Sequence, residues 1–265
     1  MIGFGFPGLV VLFMTIPSIA DPPVDGDLLA SGIDQFERAY RAWDRAELEG
    51  AADTLKAACT KTPRRAAAWH WLGLARFHIL VHREGDGSRP LTSDEFGDLT
   101  GSAREALKKA VEIDKTDAEA HALLGTLGGM EIMRTPYKAL WLGPAVWHHM
   151  QIAGKYGENN PRVQYLLGAA LIKGSDSRDE TDKALVHLER AETLFQSEAA
   201  HDVRGWPTRA PWGREHCLAL IGQVYAGRGD IPKAIASYNK ALELNPAHGL
   251  ARRCLDAIEK EDRDE

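Results

Sequence analysis

Small residues recur in phase along this chain, and no other feature constrains its fold as tightly. Leu72-Gly73, Leu124-Gly125, Leu167-Gly168 and Ile221-Gly222 each set a glycine behind a large aliphatic residue. A second run follows each pair, mixing small and large side chains at helical spacing: Ala103, Leu107 and Ala110; Met150 and Ala153; Ala184, Leu188 and Ala191; Ala234, Tyr238 and Ala241. Apolar positions three and four apart share one face of a helix. A glycine on one helix and alanines on the next let the two axes approach closely. Pro63, Pro161 and Pro246 punctuate the pattern, because proline lacks an N–H and fixes φ. A weaker unit lies upstream, with Phe36, Ala39, Tyr40 and Trp43 on one face and Ala51, Leu55 and Ala58 on the next. The pattern predicts an all-α chain of about five helix pairs.

The last unit is the most regular. Across residues 215–248, Leu218, Ile221, Gly222, Tyr225, Ala234, Tyr238 and Pro246 fall where a known repeat pattern has its large, Leu-Gly, Tyr, Ala, aromatic and Pro positions. With Leu218 standing in place of tryptophan, the stretch resembles the tetratricopeptide repeat (TPR) proteins. The resemblance implies an α-α superhelix, or solenoid, with repeats near 33–63, 66–117, 118–161, 162–197 and 215–248. Leu250, Cys254, Leu255 and Ile258 then form a stripe suited to a capping helix over 249–262. The chain is similar to exported bacterial members with irregular repeats. Its units differ in length: Gly222 to Ala234 is short, and Gly73 to Ala103 is long enough to hold an insertion. Within that insertion, REGDGSRPLTSDEFGDLTG reads as loop, and SEAAHDVRGWPTRAPWG separates the fourth and fifth units.

The first twenty residues carry no charged side chain and end in Ser18-Ile19-Ala20, followed by a polar linker over 21–32. That pattern predicts a signal peptide over 1–20 and an exported, periplasmic protein. The alternative is an uncleaved N-terminal anchor, which would then be the chain's membrane contact. Net charge is −6 and the pI about 5.9, which argues against nucleic-acid binding. Cys59, Cys217 and Cys254 match no zinc spacing. They read as buried small hydrophobes, with a Cys217–Cys254 disulfide as the alternative.

Little in the sequence speaks for catalysis. The literal G-x-G-x-x-G at Gly3, Gly5 and Gly8 follows no strand and lies inside the apolar leader. His78 and His82 are one helical turn apart, His70 is two turns back, and His148-His149 could join them from another repeat. Metal binding would need these groups to converge. The expectation is therefore no cofactor, no metal and no enzymatic activity, with a metal-dependent or hydrolytic enzyme on histidines 70, 78 and 82 as the alternative. A self-assembling subunit packing through Trp206 and Trp212 is the other.

The family resemblance points instead to a concave groove lined by the first helix of each repeat, where a protein or peptide segment would bind. The inward residues expected are His70, Trp71, Leu74, Phe77 and His78 in the second repeat. Arg162, Tyr165, Ala169 and Lys173 follow in the fourth, and His216, Ala219 and Gln223 in the fifth. The groove lacks the asparagines of the subgroup that clamps a peptide's terminal carboxylate. Residues 134–144, RTPYKALWLGP, are apolar enough to fold back and fill it. The function expected is a non-catalytic interaction scaffold.

Overall fold

The computed structural model describes residues 27–85, 89–174, 177–200 and 212–264. Among them are eleven α-helices and no strand. They are α1 (Leu28–Ala42), α2 (Arg45–Lys61), α3 (Ala66–Gly85), α4 (Ser93–Ile113), α5 (Ala118–Arg134), α6 (Ala139–Tyr156), α7 (Pro161–Gly174), α8 (Arg178–Ala200), α9 (Arg214–Gly227), α10 (Ile231–Leu244) and α11 (Gly249–Asp264). A short 3₁₀ turn, Pro136–Lys138, leads into α6. Each odd-numbered helix up to α9 packs against the even-numbered helix after it, and α11 closes the stack on α9 and α10. The chain is an α-α superhelix of five helix pairs and a closing helix. The leader and most of the linker expected over 1–32 lie outside the described residues.

The phased glycines are where the helices of a pair cross. A Cβ on Gly73 would sit 2.5 Å from Leu107, one on Gly125 2.8 Å from Met150, one on Gly168 2.8 Å from Leu188, and one on Gly222 2.5 Å from Tyr238. No real Cβ tolerates such distances, so each glycine is the socket for the large residue of its partner helix. The first pair uses the same device: Gly32 receives Leu55 at 2.7 Å. The flanking alanines, including Ala103, Ala184, Ala191, Ala234 and Ala241, are fully buried.

Helix starts are set by side-chain caps. Asp27, Asp44, Asp117 and Asp230 each accept a backbone N–H in the first turn of the helix that follows. Thr92 and Glu95 form a reciprocal capping box, Thr92 Oγ1 accepting the Glu95 N–H at 3.2 Å and Glu95 accepting the Thr92 N–H at 2.9 Å. This corrects the reading of residues 83–101 as loop: from Ser93 onward they are helix, with Phe96 and Thr100 buried.

The cysteines are all free, Cys59 and Cys217 buried and Cys254 half-buried, so the Cys217–Cys254 disulfide is not formed. Among the described residues no helix is long and apolar enough to cross a membrane.

Candidate functional site

The inner wall of the superhelix is made by α1, α3, α5, α7 and α9, which contact one another in order. The wall curls until its ends meet. Tyr40, near the end of α1, donates its hydroxyl proton to Glu215 on α9 and accepts the Gly213 N–H at 3.2 Å. Gly213 has φ +95, a backbone conformation that suits glycine. That turn swings Trp212 inward, where it is 2% exposed, with ring centroids 5.1 Å from His78 and 6.2 Å from Tyr165.

This closure decides the fate of the expected groove. His70, Trp71, Leu74, Phe77, His78, Arg162, Tyr165 and Ala219 are all buried, and Ala169 is packed against the core. His216 and Gln223 are half-buried, and Lys173 is exposed. Lys173 and Gln223 border a separate shallow cleft with Arg178 and Arg228. Most of these positions therefore lie in the interior rather than on an open surface. Residues 134–144 do not fill the interior, because they run into α6 on the outside. Trp212, a contact in the alternative self-assembly reading, is part of the interior, and Trp206 lies outside the described residues.

The histidines go to separate partners. His70 Nδ1 meets Asp117 at 2.8 Å, and its Nε2 lies 3.6 Å from Glu119, an ion-pair contact rather than a hydrogen bond. Burial opposes charge on this ring, but the two carboxylates overcome it and push its pKa up to about 10. His78 makes no hydrogen bond and is pushed down to about 3, by burial first and by His216 second. His82 Nε2 meets the Trp43 carbonyl at 3.0 Å. His149 pairs with His121 at 2.8 Å, ring to ring. The histidines at 70, 78 and 82 therefore share a helix but no common centre. Among the described residues no cluster of three or more His, Cys, Asp or Glu could hold a metal ion.

The outside carries a different feature. α6 seats Val146 over Gly128 and Met150 over Gly125, and buries Ala153. Its other side is apolar and uncovered: Leu140 is 84% exposed, Trp147 65% and Trp141 56%, with Tyr137 at 66% in the turn before them. Tyr137 and Trp141 lean on each other at 5.6 Å. From Arg134 to Tyr156 there is no acidic residue, while Arg134, Lys138 and Lys155 are basic.

A model of the tetratricopeptide repeat matches residues 217–248, covering most of α9 and all of α10. Residues 217–248 are a tetratricopeptide repeat. The chain's fold is similar to TTC0263, a thermophilic TPR protein of Thermus thermophilus, with a TM-score of 0.56 at 16% identity, covering 86% of this chain and 98% of that one. YrrB, described as a TPR protein with an unusual peptide-binding site, also matches, at 16% identity and a TM-score of 0.39, covering 86% of this chain and 97% of its own. MamA matches at 23% identity and a TM-score of 0.40, covering 76% and 90%. No curated protein matches the chain.

Beyond this repeat, sequence reasoning missed Tyr40 and Glu215 as a pair and Trp212 as an interior residue. Nothing local marks them. The apolarity of residues 137–147 was visible, and what was missing was that no neighbouring repeat covers it.

Proposed function

We propose that this protein is a non-catalytic scaffold that binds a segment of another protein on the outer face of α6. Tetratricopeptide repeat proteins are in general interaction scaffolds. The observation that carries the reading is the uncovered set of Tyr137, Leu140, Trp141 and Trp147 on one short stretch. Aromatic anchors of this kind dominate interface energetics, and large exposed apolar patches on a soluble fold mark contact surfaces. Burial of the inner wall argues against an extended segment lying there. Dispersal of the histidines supports the non-catalytic reading. The uncharged stretch over 1–20 supports an exported, periplasmic scaffold.

Photocrosslinking with benzoylphenylalanine at positions 140, 141 and 147, and at 173 and 223 for comparison, tests this in the native cell. A discrete crosslinked species from the α6 positions is expected. Crosslinks confined to 173 and 223 would return the partner to the inner side, and a species of twice the chain mass would replace the heterologous partner with a second copy.

A further inference from the structure

A cavity of about 200 Å³ remains where the ends of α1 and α3 meet the start of α9 and the turn between α10 and α11. It holds roughly six or seven waters' worth of liquid volume. Its mouth is bordered by Gly85, Ala247, Gly249 and Arg253, all exposed.

The walls are a belt of rings. Trp43 lies 5.8 Å from Tyr40, Tyr40 4.9 Å from His78, His78 5.1 Å from Trp212, Trp212 6.2 Å from Tyr165, and Tyr165 5.9 Å from His216. These six come from α1 and the residue that caps it, α3, α7, α9 and the residue before the turn into α9, so the belt exists only because the superhelix has closed. Two of the rings are imidazoles, and both are held uncharged: burial pushes His78 and His216 down to about 3. His248, a further lining residue, is lowered to about 4 by burial and then by Arg253. The carboxyl of Glu215 is the one anionic group among the lining residues. Arg253 is their one cation, and it stands at the mouth with its side chain in solvent. Both nitrogens of His78 and the Nε1 of Trp212 are buried without a hydrogen-bond partner.

The six rings of the belt and a single carboxylate line this space, an environment that attracts positive charge and offers little to a neutral molecule of the same shape. Ring faces attract a cation through their quadrupoles, and the attraction grows when the site is desolvated. The unpartnered imidazole nitrogen of His78 can accept a hydrogen bond from an N–H or O–H on the guest. A neutral wall of histidines removes the repulsion that protonated rings would bring.

We infer that the closed interior of the superhelix binds a small organic cation, an alkylammonium of about the size of choline, within the ring belt and against Glu215. The inference is independent of the docking face on α6, which lies on a different repeat.

The test is a titration of the full-length protein at pH 7.5 by calorimetry and tryptophan fluorescence. Three probes of one shape are compared: choline, 3,3-dimethylbutan-1-ol and 3,3-dimethylbutanoate. Choline is expected to saturate and to bind about tenfold or more tightly than the neutral alcohol, with the carboxylate weakest. Glu215→Gln should weaken choline about tenfold and leave the alcohol within about twofold. Equal binding of choline and the alcohol, preference for the carboxylate, or no saturable choline signal would each overturn the proposal. Should Glu215→Gln fail to fold by circular dichroism, Trp43→Leu, which truncates a half-buried ring near the mouth, gives the second reading. Selective loss of choline supports the belt, and equal loss of choline and alcohol refutes it.

Discussion

The hydroxyl of Tyr40 is bonded to the carboxylate of Glu215, 175 residues away in sequence, and so ties the first repeat to the fifth. Glu215 is 6% exposed, and burial raises its pKa. Removing the Tyr40 hydroxyl takes away this carboxylate's side-chain donor and leaves the Gly213 N–H without its acceptor. Tyr40→Phe should therefore cost about 1–3 kcal/mol in urea denaturation. Amide exchange should rise in α9 as well as in α1. A midpoint equal to that of the wild type would show that the contact contributes nothing.

The glycine sockets give a paired comparison. Gly73→Ala drives a methyl to within 2.5 Å of Leu107 and should destabilise the protein by about 1–3 kcal/mol. Gly101→Ala, on the exposed side of α4 with no heavy atom within 4 Å, should stabilise it by about 0.5–1 kcal/mol. Thermal melts of the two variants measure the contrast, and equal shifts would show that the sockets are slack.

The His70–Asp117 contact predicts a pH dependence. With its folded pKa raised to about 10, His70 contributes stability that is full below its unfolded value near 6.5 and lost as the pH climbs through 10. Asp117 has its pKa lowered: burial works against this, but His70 and the Ala120 N–H outweigh it. Its contribution is present above the unfolded value near 3.8 and disappears as the pH falls below that. Relative to His70→Gln, wild-type stability should decline by up to about 1.4 kcal/mol per pH unit between pH 7 and 10. Parallel stability curves for the two proteins over that range would mean that the ring is neutral.

On α6, Leu140→Gln with Trp141→Gln removes apolar side chains that the fold does not bury. Stability should change by no more than about 0.5 kcal/mol, while retention on a hydrophobic-interaction column falls. A loss of several degrees in melting temperature would mean that the face is covered by the protein itself.

The helix pairs were legible because their cause is local. A glycine after a large aliphatic, and in the next helix alanines seven places apart with a large residue between them, report one crossing each. Gly32 escaped notice because Ser31 precedes it, so no Leu-Gly pair flags it. The α4 start was legible in principle, since Thr92 and Glu95 have the spacing of a capping box, but the glycines at 97 and 101 pulled the reading towards loop. The inner wall was a different matter. Which side chains point inward follows from periodicity, but whether they meet solvent depends on curvature. That in turn rests on Tyr40, Trp212 and Glu215, which are brought together from opposite ends of the repeat array. The exposure of Trp141 and Trp147 was hidden for the same reason, being a property of the neighbouring repeat.

An open array of repeats behaves as a line: each unit leans only on the next, and the ends can fray alone. The contact between α1 and the segment around Trp212 makes this array circular. Neither terminal repeat is a free end in the thermodynamic sense, so loss of the fifth pair strips support from the first. Truncation from either side should therefore be felt at the opposite terminus as well as beside the cut, and the five pairs should melt as one cooperative unit.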